Sequence, residues 1–313
     1  LVDHDVLMTE ILRVNYLRIF FYTARGVVKA VDDVTFSVEG GERFGLIGES
    51  GSVKSTIAMG IMRLVRPPGV IESGEIYLEE TNLLTLSPDE IRQQRLANVA
   101  MVTQGAMNSL NPVTRIRQQF ADGLNSHGTA LTQDQARQHL GTLLEQVGLD
   151  PSVSDMYPHQ LSGGMKQRVC IAFAMSLHPS LIIADEPTSA LDVVVQRQVM
   201  QTLRQVQEDL HTAVILIGHD MGLMAQFANR IGVMYAGKLV EEGSVRSIFH
   251  NPRHPYTQLL MESLPTLDEK QELTAVPAGS PPSALERPSG CVFHPRCQYA
   301  MPHCIDTPPT SRE

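Results

Sequence analysis

Two stretches of this chain bring together residue types that can act on a phosphate. The first is GESGSVKST, residues 48–56. It follows the apolar run 44–47, which reads as a short strand, and a helix is expected to begin at about Lys54. A glycine-rich turn between strand and helix offers backbone N–H groups to anionic oxygens, and the positive end of the helix dipole adds to their pull. In that context Gly48, Glu49, Ser50, Gly51, Ser52, Val53, Lys54, Ser55 and Thr56 read as a phosphate cradle. Lys54 reaches the β- and γ-oxygens, and the Ser55 hydroxyl ligates Mg²⁺. The second stretch is LIIADEPTSALD, residues 181–192. Asp185 ends an apolar run and faces the Mg²⁺ through water, and Glu186 is placed to orient and polarise an attacking water. Two adjacent carboxylates at a strand end offer little to stability, since both must stay hydrated or paired. The chemistry available to the two stretches is transfer of a phosphoryl group to water.

These residues need elements to hold them. Residues 8–47 read as strands: Leu17, Ile19 and Phe21 alternate, and a second run, 27–38, follows a turn at Gly26. From about 88 to 178 the pattern is mainly helical, with Leu140, Leu143, Leu144 and Val147 on one face. Runs 181–184 and 214–217 are continuously apolar, as strands buried on both faces of a parallel sheet should be. A helix over 193–210 joins them into a βαβ unit. Past Leu264 the texture changes: nine of the 19 prolines and three of the four cysteines fall in 265–313. That density excludes long helices and predicts an extended appendage held by something other than a core.

A third stretch, LSGGMKQRV at 161–169, resembles the signature sequence of ABC-transporter ATPases. Ser162, Gly163 and Gly164 fall at an expected helix start, where a hydroxyl, a close backbone and a positive dipole end suit a γ-phosphate. The resemblance implies that this phosphate belongs to the ATP of a partner subunit, with two head-to-tail protomers sandwiching two nucleotides. It also implies that Gln104, after the apolar 99–102, contacts Mg²⁺ and water and senses a transmembrane partner. On the same basis His219 bonds the γ-phosphate, and residues 189–192 cross the dimer interface. Read alone, Gln104 and His219 are polar residues at strand ends, and the other ten histidines have no assigned role. For the adenine, the resemblance calls for stacking on Tyr22, Phe21 or Arg25, with Phe21 the one best read as core. The implied fold is α/β: a P-loop NTPase of ABC type with a mostly parallel central sheet, an N-terminal antiparallel β part and an inserted helical subdomain at about 105–178. The implied division is an ATPase domain over 8–264 and a Cys-containing tail over 265–313.

One residue departs from the pattern. The family has glycine where this chain has Val53, next to Lys54, so that backbone can approach the β-phosphate with no side chain in the way. A β-branched residue there is stiff, and a positive φ makes it an outlier. Steric conflict with the phosphates at a cost of a few kcal/mol is expected, or about 10²-fold in ATP affinity. A sequence error, a decayed gene, or a hydrolysis-defective half of a heterodimer that lends its signature to a partner all answer to this residue.

The resemblance runs from Met8 to about Pro309. VMYAGKLVEEG at 233–243, NPRHPYTQLLMESLP at 251–265 and the tail GCVFHPRCQYAMPHC look like the oligopeptide/dipeptide importer subfamily, which also includes nickel importers. In the tail, Cys291, Cys297 and Cys304 are spaced C-x5-C-x6-C. In relatives such cysteines are associated with a [4Fe–4S] cluster, whose fourth ligand is missing from this chain, as if the C-terminus were truncated. A zinc site with His294 or His303, or three unligated thiols, are the other readings of the same spacing. Cys170 reads as a small buried apolar residue. The implied partners are a second ABC ATPase, two membrane permeases and an extracytoplasmic solute-binding protein, at the cytoplasmic face of the membrane. Composition agrees: 25 Lys+Arg against 34 Asp+Glu, a net charge of -9, argues against a nucleic-acid partner. A soluble ABC-type ATPase acting on DNA or ribosomes would call for coiled-coil insertions, tandem ATPase domains or a basic patch. No run approaches the roughly 18 apolar residues of a membrane span, and LVDHDVLMTE lacks the apolar core of a signal peptide. Met8 is the more natural start.

Overall fold

A computed structural model describes residues 9–49, 51, 53–105, 109–129, 131–264, 282–283 and 285–310. The expected start at Met8, Ser50, Ser52 and residues 265–281 of the tail lie outside the described residues. In chain order the strands are β1 (Glu10–Thr23), β2 (Gly26–Glu39), β3 (Arg43–Ile47), β4 (Gly69–Leu78), β5 (Thr81–Asn82), β6 (Val99–Val102), β7 (Leu181–Asp185), β8 (Ala213–Ile217), β9 (Arg230–Tyr235) and β10 (Lys238–Ser244). The helices are α1 (Lys54–Ile61), α2 (Pro88–Ala97), α3 (Ile116–Asn125), α4 (Gln133–Gln146), α5 (Gly163–Ala174), α6 (Val193–Leu210), α7 (Met221–Phe227), α8 (Val245–His250) and α9 (Pro255–Glu262). One sheet has the order β2-β1-β4-β5 and the other β10-β9-β3-β8-β7-β6. In the larger sheet the β3–β9, β6–β7 and β7–β8 pairs are parallel, and β9–β10 is antiparallel. The chain folds as two compact units. One gathers Ser37–Arg43 and Tyr77–Ile217 with the start of the chain through Arg13; the other gathers Val14–Phe36, Phe44–Ile76 and everything from Gly218 onward.

In the first unit, β6, β7 and β8 run side by side, with Asp185 opposite Ile217 at the last pair. Every residue of β7 and β8 is buried, which is why their sequence is apolar without alternation. The helices start where short polar side chains can cap them. Ser87 and Glu90 form a capping box for α2, Thr132 and Gln135 another for α4, and Asp192 accepts N–H bonds from Val194 and Val195 at the head of α6. Leu140, Leu143 and Leu144 of α4 are buried, and Phe120 of α3 packs on Phe173 of α5 with ring centroids 5.5 Å apart. Asp155 binds both Arg117 and Arg137. Helix and strand therefore meet in this unit at the C-terminal ends of β6 and β7, where Gln104 and Glu186 follow.

In the second unit, β3 pairs with β9 from Phe44–Arg230 to Ile47–Val233 and delivers the chain into α1. The tail corrects the expectation that something other than a core holds it. Phe293 is buried, edge-on to Tyr235 at 5.1 Å and against Tyr256 at 5.6 Å, while the Tyr235 and Tyr256 rings are tilted by 49° with centroids 4.5 Å apart. The tail thus borrows a core: the aromatic rings on β9 and α9 supply the apolar surface that a proline-rich segment lacks. It is closed on itself by Cys291 N–H donating to the Cys304 carbonyl at 2.9 Å, and Gly290 at φ +61 allows that approach. Arg287 adds an ion pair to Asp32 at 2.9 Å, and Lys238 binds the same carboxylate. Phe293→Ala should cost about 3 kcal/mol or more. A urea titration should show a lowered midpoint, with trypsin cutting at Arg287 or Arg296 before the transition; an unchanged midpoint and an uncut tail would refute this packing.

Candidate functional site

The phosphate-binding half lies in the second unit. β3 is fully buried from Phe44 to Ile47, so the turn that leaves it starts from a fixed point. α1 begins at Lys54, and the residue before it, Val53, contributes no side-chain cap. In that first turn the Thr56 amide donates to the Val53 carbonyl at 3.0 Å, and the helix start carries the positive dipole end that suits an anion. Lys54 is only 5% exposed, and its ammonium donates to the carbonyls of Gly48 at 2.8 Å and Glu49 at 3.2 Å. A buried ammonium needs such acceptors, and a triphosphate offers the same kind of oxygen. Ser55 and Thr56 are half-buried in the first turn of α1, and Gly51 is exposed with φ +83. Val53 stands at φ 62, ψ 28, in the left-handed region. For a β-branched residue that conformation carries about 1–2 kcal/mol of strain, which glycine would not feel. His219 sits in an exposed turn just before Asp220, which caps α7 by accepting from the Leu223 amide at 3.0 Å.

Tyr22, the first adenine candidate, is 47% exposed, and its hydroxyl donates to Glu72 at 2.9 Å. That hydrogen bond, more than any other cause, holds the phenol above its ordinary pKa. Phe21 is half-buried and its ring lies where a side chain on Gly69 would have to go, so it packs as part of the fold. Arg25 is exposed, its amide donating to the Thr23 hydroxyl.

The water-activating half lies in the first unit. Asp185 is buried at the end of β7, and Glu186 follows at φ 45, its amide donating to the Ile217 carbonyl at 2.9 Å. Gln104, exposed beyond β6, donates from Nε2 to Glu186 Oε2 at 2.9 Å. The structure thus joins two residues 82 positions apart, which the sequence proposed separately. The Gln104 amide thus fixes the orientation of the Glu186 carboxylate. Ser162 caps α5, its hydroxyl accepting from the Met165 amide at 3.3 Å. Gly163 is half-buried behind it. Gly164 is buried, and a Cβ there would stand 2.4 Å from Val195 Cγ1 on α6. Packing of α5 on α6 is therefore a full reason for that glycine. Of residues 189–192, Ala190 takes φ 63 and Asp192 caps α6.

The tail thiols stay apart from this chemistry. No cysteine is in a disulfide. Burial pushes the Cys297 thiol up, and the Cys291 amide donates to the Cys304 carbonyl at 2.9 Å. Yet among the described residues no three His, Cys, Asp or Glu side chains converge as a metal-binding set. As arranged they fit neither a four-thiolate cluster nor a zinc site with His294, whose Nδ1 lies 2.9 Å from the Cys291 carbonyl. Burial pushes the Cys170 thiol up to about 11, which makes it an inert neighbour of the signature turn.

Sequence reasoning did not assign Tyr235, Tyr256 or Arg296; Tyr256 and Arg296 reach the phosphate turn, and the Tyr235 hydroxyl lies 3.4 Å from Arg296 Nη1. The Glu49 amide donates to the Tyr256 hydroxyl at 2.9 Å, and Arg296 pairs with the Glu49 carboxylate. They lie inside VMYAGK, HPYTQ and FHPRCQ, stretches whose resemblance was noted but whose chemistry was not.

The ABC transporter family matches residues 31–189, and the oligopeptide/dipeptide transporter C-terminal region matches 240–304. The chain is 44% identical over 301 residues to the dipeptide transport ATP-binding protein DppD of Haemophilus influenzae, spanning 96% of this chain and 91% of the relative. It is 42% identical over 299 residues to the oligopeptide transport ATP-binding protein OppD of Bacillus subtilis, spanning 94% and 83%. A dimeric ATP-binding cassette in a post-hydrolysis state, bound to ADP and Pi, superposes with a TM-score of 0.67 at 27% identity, covering 75% of this chain and 99% of that one. With its family match, its near full-length relatives and its phosphate loop, signature and carboxylate pair, this chain belongs to the ABC transporter family.

Proposed function

We propose that this chain is the ATP-binding and hydrolysing subunit of an ABC importer that takes up short peptides. The observation that carries it is the buried Lys54 at the head of α1, its ammonium turned onto the Gly48 and Glu49 carbonyls of the loop. The peptide assignment rests on the likeness to dipeptide and oligopeptide transport ATP-binding proteins and on the match over 240–304. A nickel importer of the same construction is the alternative within the family. The ATPase part is assigned to 8–264 and the tail to 265–313.

In the reaction, Lys54 leaves the Gly48 and Glu49 carbonyls for phosphate oxygens, and the loop amides of 48–56 hold the rest of the triphosphate. Mg²⁺, when bound, supplies charge neutralisation, with Ser55, Gln104 and Asp185 the residues that would hold it. Glu186 accepts a hydrogen bond from water and withdraws its proton, with Gln104 keeping the carboxylate turned for that task. His219 donates to the γ-phosphate. Ser162, Gly163 and Gly164 serve the ATP of a second, similar subunit, and Tyr22 stacks on adenine. Closing and reopening of the ATPase pair then moves two membrane permeases, fed by an extracytoplasmic solute-binding protein. Among the described residues no helix is long and apolar enough to cross a membrane, so attachment at the cytoplasmic face runs through those permeases. An iron–sulfur cluster on the tail would need a fourth ligand and a regrouping of three thiols, and no part of this reaction passes through one.

Val53 sets the strength of nucleotide binding. Val53→Gly should tighten MgATP affinity by about 10²-fold, read by titration with a fluorescent ATP analogue. Micromolar affinity with ordinary turnover in the Val53 chain would end that account. In the Val53→Gly background, Glu186→Gln should lower phosphate release by about 10²-fold or more while MgATP affinity changes by less than about threefold. Undiminished turnover would remove Glu186 from the reaction.

A further inference from the structure

Glu49 is an odd residue to find in a loop that binds a triphosphate. A carboxylate there repels the phosphates unless something cancels its charge, and the backbone-based logic of the loop places no demand for an acid at that position. Its partner comes from the other end of the sequence. Arg296 forks onto Glu49, with Nη1–Oε2 and Nη2–Oε1 both at 3.1 Å. The Arg296 side chain is 6% exposed. Burial opposes its charge, but the Glu49 and Tyr235 bonds outweigh that and raise its pKa. The guanidinium lies over the Tyr235 and Phe293 rings at 5.8 and 5.9 Å. Glu49 is held at two further points, its amide by the Tyr256 hydroxyl and its carbonyl by Lys54.

We propose that Arg296 is a positioning residue of the phosphate loop: the cysteine-bearing tail reaches back, cancels the charge of Glu49 and fixes the start of the loop for nucleotide. This rests on the reading of 48–56 as the ATP-binding loop. The bond is two-pronged and its guanidinium is buried, so it specifies an orientation as well as a charge. Removing the arginine alone leaves a carboxylate unpaired beside the phosphate site, which is worse than removing both partners. Phe293, three residues earlier, anchors the turn that presents Arg296, so the tail's aromatic packing and its ion pair act on the same loop.

The test compares Arg296→Met, Arg296→Lys, Glu49→Gln and the double Glu49→Gln/Arg296→Met in the full chain, with and without Val53→Gly. Two measurements are made: backbone hydrogen exchange over 44–61 without nucleotide, and MgATP affinity. Arg296→Met should speed loop exchange about tenfold and weaken MgATP at least tenfold, with peptides from α6 unchanged. Arg296→Lys should recover part of both. The double variant should bind MgATP better than Arg296→Met, because no unpaired carboxylate is left; a tail that had merely unfolded would show no such recovery. Unchanged loop exchange and affinity in Arg296→Met, or strictly additive effects in the double variant, would overturn the proposal. If no form binds MgATP yet loop exchange responds to Arg296→Met, the ATP reading falls and the tie from tail to loop stands.

Discussion

Strand β3 ends in a buried residue, Ile47, and seven positions later α1 begins on a buried lysine. Between them the chain must turn while leaving amides for an anion, and it must do so next to an ammonium withdrawn from water. This is an electrostatic constraint before it is a catalytic one. Positive charge concentrated by Lys54 and by the head of α1 has to be balanced, and here the balancing atoms are the Gly48 and Glu49 carbonyls. Phosphate oxygens are interchangeable with those carbonyls in this role, so the loop can exchange internal hydrogen bonds for bonds to ligand at little net cost. The parallel pairing of β3 with β9 gives the loop its fixed origin, and β9 in turn provides Tyr235 for the aromatic packing that holds the tail.

Strain gathers at the turns that follow strands. Val53, Glu186 and Ala190 all have positive φ without being glycine. At Glu186 the position is over-determined: its amide is tied to Ile217, its carbonyl accepts from Ser189 and its carboxylate is held by Gln104. Such bonds can hold a residue in a sparsely populated conformation where the geometry is needed. Val53 is different in kind, because a valine side chain gains nothing in the left-handed region that a glycine would lack. The same physical rule therefore separates a residue whose strain serves orientation from one whose strain is a burden on the loop.

Much of this was legible in the sequence because the signals were local. The start of α1 at Lys54 and the span of α6 follow from a motif in context and from apolar periodicity with an acidic cap. Buried parallel strands declared themselves at β7 and β8 by unbroken apolar runs. β4 gave no such signal: VIESGEIYL mixes acids into a half-exposed strand, and Gly74 at φ +111 interrupts its alternation. β9 and β10 lie in a stretch noted only for its likeness to transport proteins. The Gln104–Glu186 bond needed three dimensions, although both residues had been singled out. Gly164 carries a second, packing demand that only the fold reveals, since a Cβ there would meet Val195 on α6.

The tail is the plainest case of non-local information. Its described residues form only short turns over His294–Arg296 and Pro302–Ile305, as the prolines imply, but composition cannot reveal that Phe293 enters a cage of rings supplied by β9 and α9. Nor can it reveal that Arg296 meets an acid 247 residues earlier. The cysteine spacing drew the eye because it is a pattern, whereas arginine and phenylalanine within FHPRC form none. Yet among the described residues the thiols form no metal-binding set, whereas Phe293 packs on Tyr235 and Arg296 reaches the phosphate loop. Aromatic burial supplies the affinity of the tail for its unit, and the forked ion pair supplies its direction. A segment too poor in apolar residues to fold alone has thereby become part of the framework on which the loop is set.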